Sequence, residues 1–164
     1  MNKIRKFIIS FIVLSLVSSC AGYEPIFGSK NVQFTILDYS IEGDKILGNK
    51  LYVKLRGLSN TNENNYEARS LEFLINISKE KIAISKDSAG KILQYKINLN
   101  TKVEVKDVVL NNIILNQTFN NSLTYKSQTQ YSDTLKLEKK SIETLINNTY
   151  QELIVKLSQL LASK

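Results

Sequence analysis

Histidine and tryptophan are missing from this 164-residue chain, and cysteine, proline and methionine each occur once. Without histidine, catalytic triads of the Ser-His or Cys-His type are excluded, and so is the usual zinc site. A lone cysteine cannot form a disulfide within the chain. Carboxylates could still perform acid–base chemistry, but no acidic pair stands in a convincing context. We therefore predict that the protein is not an enzyme and holds neither a cofactor nor a metal ion.

The start of the chain has the layout of a secretory signal. Its basic residues are Lys3, Arg5 and Lys6. They precede an apolar run of about a dozen residues, shorter than the ~20 that a membrane span needs. Ser18 and Ser19 then stand directly before Cys20. This arrangement resembles a bacterial lipobox, which implies cleavage before Cys20 and attachment of lipid to its thiol.

Three segments follow from this layout. Residues 1–19 are predicted to be a lipoprotein signal peptide, residues 20–30 a lipidated tether, and residues 31–164 a single domain. An uncleaved anchor or an ordinary signal is the alternative for the first segment. Ala21 stands where the sorting rule for such lipoproteins places an aspartate for inner-membrane retention, so we expect the outer membrane, on its periplasmic side. Several acyl chains hold a protein to a bilayer where one chain would not.

The net charge of +7 includes the three charges of the predicted signal, which leaves +4 for the mature chain. This mild excess suits an anionic lipid headgroup or phosphate rather than a nucleic acid. The only proline, Pro25, lies in the tether between Gly22 and Gly28. The tether is either a spacer from the bilayer or a turn that packs onto the domain.

Hydrophobic periodicity predicts six elements. Alternating apolar and polar residues indicate strands over residues 32–39, 70–84, 93–106 and 115–125. A helical period begins at Asp44 and ends near Gly57, although a strand over Leu51 to Leu55 competes with it. A second apolar stripe starts at Ser132 and continues for roughly 30 residues, as an amphipathic helix does. This helix either covers the sheet or lies on a membrane surface, and its weakly basic polar side favours the sheet.

The order β-α-β-β-β-α predicts an α+β fold. We expect a two-layer sandwich in which two helices cover one face of a mostly antiparallel sheet of about four strands. The other face is left for solvent or a partner. It is predicted to carry Lys96, Asn98, Lys102 and Glu104.

The run from Gly22 to Gly28, which reads Gly-Tyr-Glu-Pro-Ile-Phe-Gly almost directly after Cys20, resembles the start of the lipopolysaccharide-assembly lipoprotein family LptE. Ala21, inserted between the cysteine and the glycine, departs from the family's pattern. The resemblance implies that the chain plugs the outer-membrane β-barrel LptD and helps deliver lipopolysaccharide to the outer leaflet.

Lysines at the ends of predicted strands are the candidate contacts for lipopolysaccharide phosphates. They are Lys86 and Lys91 in a hairpin turn and Lys126 before the last helix. The simpler interpretation is that all three are solvated loop lysines of a lysine-rich protein.

Two other functions remain open. One is an auxiliary or scaffold lipoprotein of a different envelope transport complex, facing the periplasm. The other is an envelope enzyme that uses carboxylates such as Asp38, Asp44 or Glu72, which would need two of them to converge in a pocket.

Overall fold

A computed structural model describes residues 34–59 and 68–162. The elements are β1 (Phe34–Gly43), α1 (Lys45–Arg56), β2 (Arg69–Lys86), β3 (Ile92–Asp107), β4 (Asn112–Lys126) and α2 (Tyr131–Ala162). The predicted order and the α+β class are confirmed. The predicted signal peptide, Cys20 and the tether lie outside the described residues.

The four strands form one sheet in the order β1-β2-β3-β4. Strand β1 runs parallel to β2, while the β2–β3 and β3–β4 pairs are antiparallel. The parallel pair follows from the chain order, because α1 carries the chain from the end of β1 back to the level at which β1 began. The sheet is therefore mixed but mostly antiparallel, as predicted.

Alternation along the strands sends apolar side chains to one face, and both helices pack there. In β3, Ile97, Leu99, Val103 and Val105 are buried, as is Thr101 among them, whereas Asn98, Asn100, Lys102 and Glu104 lie on the other face. Phe34 and Phe73 meet under the helices with ring centroids 5.9 Å apart. Burial of this single face supplies the main stabilisation of the sheet.

Helix α1 begins with a side-chain cap. The Oδ1 atom of Asp44 accepts hydrogen bonds from the backbone N–H groups of Ile46 and Leu47, each at 3.1 Å. Leu51 and Leu55 are fully buried. The competing prediction of a strand at this position is therefore wrong. A Cβ atom at Gly48 would stand 2.3 Å from Cγ2 of Ile41, so the glycine lets the helix approach β1 closely.

Helix α2 has 32 residues and runs for about 48 Å, the length of the sheet. It begins at Tyr131, one residue before the predicted Ser132. Thr134 ties this start to the preceding loop, because its Oγ1 accepts the N–H of Gln128 at 2.8 Å. Its buried apolar residues are Ile142, Leu145, Ile146, Leu153, Ile154 and Leu157. Among the described residues, neither helix combines the length and apolarity that a bilayer crossing requires.

The two ends of the sheet differ in width. Strand β1 ends where Gly43 pairs with Ile77, halfway along β2. One end therefore has four strands under two helices, and the other has three strands under α2. The last buried position of β2 is Ile77, and most of the strand beyond it is exposed. Strand β3, with 16 residues, is about 50 Å long.

Candidate functional site

The three candidate lysines lie together at the narrow end of the sheet. Lys86 is the last residue of β2, Lys91 stands just before β3, and Lys126 is the last residue of β4. Lys126 pairs with Gln94 of β3, which pairs in turn with Ser85. Strands two positions apart are separated by about 10 Å, so one phosphate-bearing headgroup could span these side chains.

The β2–β3 turn, residues 86–91, holds its shape through Asp87; we call it the charged turn. The Oδ1 atom of Asp87 accepts hydrogen bonds from the N–H groups of Ala89 at 3.0 Å and Lys91 at 2.9 Å. Gly90 adopts φ +82°, a conformation that L side chains rarely adopt. Lys86, Lys91 and Lys126 are exposed, and within the described ranges none of them forms an ion pair.

Apolar side chains are exposed beside these lysines. They are Ile82, Ile84, Leu93 and Tyr131. Free lysines next to exposed apolar side chains form an amphipathic surface, which matches a ligand that has both phosphates and acyl chains. The sequence analysis found the lysines but not these neighbours, because an alternating strand does not reveal where its burial ends.

A second group of residues joins the sheet to α2 towards its narrow end. Nζ of Lys81 donates a hydrogen bond to Oε2 of Glu138 at 2.5 Å and lies 4.3 Å from the centroid of the Tyr95 ring. The hydroxyl of Tyr125 donates to the same carboxylate oxygen at 3.1 Å. The Tyr95 and Tyr125 rings stack with centroids 5.5 Å apart. These contacts fix the start of α2 to the end of the sheet.

The charges in this group stabilise one another. Burial favours the neutral form of Glu138, but the hydrogen bond and positive charge of Lys81 outweigh it and lower the pKa of the carboxyl group. Burial likewise disfavours the Lys81 cation, but its contacts with Glu138 and Tyr125 leave the pKa of the lysine raised. Burial raises the pKa of the Tyr125 hydroxyl, which remains a donor at neutral pH. Sequence spacing offered no signal for this group, because its members come from four elements.

The outer face of the sheet is lined by amides, as the polar half of the alternation predicts. Asn98 donates to Glu80 at 3.2 Å, and Asn116 donates to Glu104 at 3.0 Å. Nδ2 of Asn100 donates to Oδ1 of Asn120 at 2.6 Å. These pairs cross from strand to strand and stiffen a face that neither α1 nor α2 covers.

A shallow cavity of about 360 Å³ opens on this outer face. The polar residues that line it are Ser78, Glu80, Asn98, Asn100, Asn120, Asn121 and Ser122. Among the residues that the structure describes, no group of three or more Cys, Asp or Glu side chains is placed to hold a metal ion.

The three candidate carboxylates, Asp38, Asp44 and Glu72, belong to strands or to a helix cap. Asp44 caps α1, and Oδ1 of Asp38 accepts the N–H of Tyr39 at 2.8 Å. Asp38 and Glu72 pair across β1 and β2. None of the three lines the outer-face cavity. Cys20, the candidate site of lipid attachment, lies outside the described residues.

The fold is similar to those of solved bacterial lipoproteins. The solution structure of an uncharacterized lipoprotein B from Nitrosomonas europaea aligns with a TM-score of 0.56 at 13% identity, over 80% of this chain and 87% of that one. The crystal structure of a minor lipoprotein from Acinetobacter baumannii gives a TM-score of 0.55 at 14% identity, over 78% of this chain and 93% of the other. At such low identity the likeness shows a shared fold.

No family model matches the sequence, and no curated protein matches it either.

Proposed function

We propose that this chain is an outer-membrane lipoprotein that plugs the LptD β-barrel, assists its assembly and takes part in lipopolysaccharide transport to the outer leaflet. The observation that carries the proposal is the run from Gly22 to Gly28, one residue after Cys20 and in front of a domain that shares its fold with bacterial lipoproteins. Acylation of Cys20 would anchor the chain to the periplasmic leaflet.

The dimensions of the domain support a plug. The sheet and α2 are each about 50 Å long, whereas the hydrocarbon core of a bilayer is about 30 Å thick. A domain of this length, held at one end by the periplasmic leaflet, places its far end near the level of the outer leaflet. The far end is the narrow one, where the free lysines and exposed apolar side chains meet.

The chemistry of the surface also supports a plug. The lumen of a large outer-membrane barrel is polar, and the outer sheet face offers amides and hydroxyls rather than an apolar surface. Lipopolysaccharide carries phosphates that pair with ammonium groups, and Lys86, Lys91 and Lys126 are the free cations placed to meet them.

The test is a pull-down of a C-terminally tagged chain in mild detergent, with mass spectrometry of the captured proteins and a Cys20→Ala control. We expect a stoichiometric outer-membrane barrel of the lipopolysaccharide translocon with the acylated chain. We also expect less of the barrel with Cys20→Ala, which cannot be acylated.

A different stable partner, or none, from a chain that is acylated and correctly localised would contradict the plug. That result would favour the auxiliary or scaffold role in another envelope transport complex. Surface lipopolysaccharide in depleted cells separates the two, because only loss of the plug should reduce it.

A further inference from the structure

The β3–β4 turn, residues 108–113, lies at the wide end of the sheet and exposes apolar side chains without any charge among them. Val109 is 79% exposed, and Val108 and Leu110 on either side of it are exposed as well. Ile113, the second residue of β4, is 54% exposed. A contiguous apolar surface of this kind marks a site of interaction in a folded protein.

The backbone of this turn is fixed by contacts within the domain. Oδ1 of Asp107 accepts the N–H of Leu110 at 2.9 Å, and the N–H of Val108 donates to the carbonyl of Ser70 at 2.9 Å. Asp107 is buried and lies 3.9 Å from a guanidinium nitrogen of Arg69. The polar groups at the base of the turn are thus satisfied, and the surface that remains for a partner consists of apolar side chains.

The turn lies close to the point at which the chain enters the sheet. Ser70 pairs with Thr35 of β1 on one side, and its carbonyl accepts the N–H of Val108 on the other. Two strand spacings, about 10 Å, therefore separate Thr35 from Val108. The segment that leads into β1 is thus the part of the chain best placed to meet the turn.

The tether carries two adjacent apolar side chains within reach of this surface. They are Ile26 and Phe27, and Phe27 stands eight positions before Thr35. Eight residues span at most about 28 Å, which is more than twice the gap between the start of β1 and the turn. Gly28, directly after the pair, lets the chain bend there. Both the chemistry and the length of the tether therefore match the exposed surface.

We infer that the tether folds back over the β3–β4 turn and packs Ile26 and Phe27 against Val109 and Leu110. This contact requires neither the acyl chains nor the barrel of the proposed function, and it is compatible with both. Residues 20–25 stay outside it, up to about 20 Å of chain, which passes a barrel wall one sheet, or about 10 Å, thick. The lipid anchor then leaves the domain at its wide end, so the narrow end stands away from the anchored leaflet.

Tryptophan fluorescence tests this inference, because the chain has no tryptophan of its own. Phe27→Trp places a single indole in the full acylated chain, and quenching by acrylamide in mild detergent measures how exposed that indole is. Val109→Asp is then added, since a carboxylate in an apolar contact would lose its hydration without gaining a partner. We expect the quenching constant to rise about threefold with Val109→Asp, because the large indole is released from its contact.

Val53→Asp is the matched control. Val53 is 66% exposed on α1, where it offers the tether another apolar side chain to pack against. The inference predicts that Val53→Asp leaves the quenching constant of the Phe27→Trp chain unchanged. Because both valines are exposed, neither change is expected to lower the urea midpoint of unfolding.

Three results would overturn the inference. An indole that is already exposed with Phe27→Trp alone would make the tether a spacer. An indole that stays protected after Val109→Asp would be covered by detergent, lipid or another surface. A rise that is equal with Val53→Asp, or larger, would take the contact away from the β3–β4 turn. None of these results decides whether the chain captures the barrel, which the pull-down measures separately.

Discussion

The charged turn joins β2 to β3, and the next turn, residues 108–113, joins β3 to β4; we call the second one the apolar turn because its valine, leucine and isoleucine side chains are exposed. The backbones of the two turns are held in similar ways. Near the start of each turn an aspartate side chain, of Asp87 or of Asp107, accepts backbone N–H groups further along the chain. Each also contains a residue of positive φ, Gly90 at +82° and Asn111 at +50°. They differ in what they present, which is lysine at one end of the molecule and valine and leucine at the other.

The comparison shows that one set of residues determines the backbone path of each turn and another set determines its exposed surface. The aspartate and the residue of positive φ set the path of the chain and leave the remaining turn positions free. Those positions carry the difference between a surface of lysine side chains and one of apolar side chains. The two aspartates also differ, because Asp107 is buried beside Arg69 whereas Asp87 is exposed.

The largest expected effect comes from removing the buried aspartate. Asp107→Ala leaves the Arg69 guanidinium and the N–H of Leu110 without their partner, and we expect the free energy of unfolding to fall by about 3 kcal/mol. Asp87→Ala removes an exposed side chain that accepts two backbone N–H groups, and should lower the free energy of unfolding by about 1 kcal/mol. Urea denaturation measures both. Equal losses would mean that burial does not distinguish the two turns.

The next effect concerns the contacts of Lys81, Tyr125 and Glu138, which join the sheet to α2. Glu138→Gln removes the carboxylate that Lys81 and Tyr125 share, and we expect a loss of about 1.5 kcal/mol at pH 7. Because the pKa of Glu138 is lowered in the native state, its contribution is present above its ordinary value of 4.5 and disappears as the pH falls below that value.

The pH dependence of the free energy of unfolding therefore tests the contact between Lys81 and Glu138. The stability difference between the unsubstituted chain and Glu138→Gln should be constant between pH 6 and 9 and should shrink in acid. Above the ordinary lysine value of 10.5 the difference should shrink again, since the raised pKa of Lys81 delays but does not prevent its deprotonation. A difference that persists at pH 3 would show that the carboxylate acts through packing alone.

Lipopolysaccharide binding is expected to depend on the lysines at the narrow end of the sheet. Their loss is expected to leave the stability of the fold unchanged. Replacing Lys86, Lys91 and Lys126 together by alanine should weaken binding of purified lipopolysaccharide by about tenfold, which is 1.4 kcal/mol, because three free cations are lost. Fluorescence titration at two salt concentrations measures the loss. The free energy of unfolding should stay within about 0.5 kcal/mol of that of the unsubstituted chain, as for other exposed positions.

A matched control removes the same charge elsewhere. Lys45, Lys50 and Arg56 are exposed on α1, and their replacement by alanine lowers the net charge by the same amount. If this control weakens binding as much as the first variant, net charge rather than position attracts the lipid.

The smallest effect is expected at the residues of positive φ. Gly90→Ala should cost about 1 kcal/mol, because alanine is strained at this φ although no atom lies within 4 Å of the new Cβ. Asn111→Gly should change stability by less than about 0.5 kcal/mol, since asparagine already tolerates the left-handed region. Thermal unfolding of both variants measures the difference. A larger effect at Asn111 would show that the apolar turn depends on that side chain.

Most of the fold could be predicted from local patterns. The strict alternation of β3 and the apolar stripe of α2 are each set by neighbouring residues, and the structure has both. Asp44 was recognisable as a cap because it precedes a helical period. Gly48 was evidence against a helix, because glycine has a poor helix propensity. The close approach of Ile41 explains why a glycine stands at this position of α1.

Less of the candidate site could be predicted. The positions of the lysines followed from the hairpins, but Lys81, Tyr95, Tyr125 and Glu138 are brought together only by the register of three strands and the path of α2. The apolar turn lies between two predicted strands, and three apolar residues in sequence do not reveal whether they are buried. Exposure is a property of the assembled domain.

Strand β1 stops halfway along β2, and this has a consequence for the edge of the sheet. Beyond Gly43 the edge of β2 has no neighbouring strand in the part of the sheet that the structure describes, and such an edge invites pairing with another chain. Lys79, Lys81 and Lys86 occupy this edge, and its pairing with β3 is irregular between Ala83 and Lys86. Repeated lysines and irregular strand geometry are what natural proteins use to discourage edge-to-edge aggregation, so this segment can stay open without making the protein prone to form fibres.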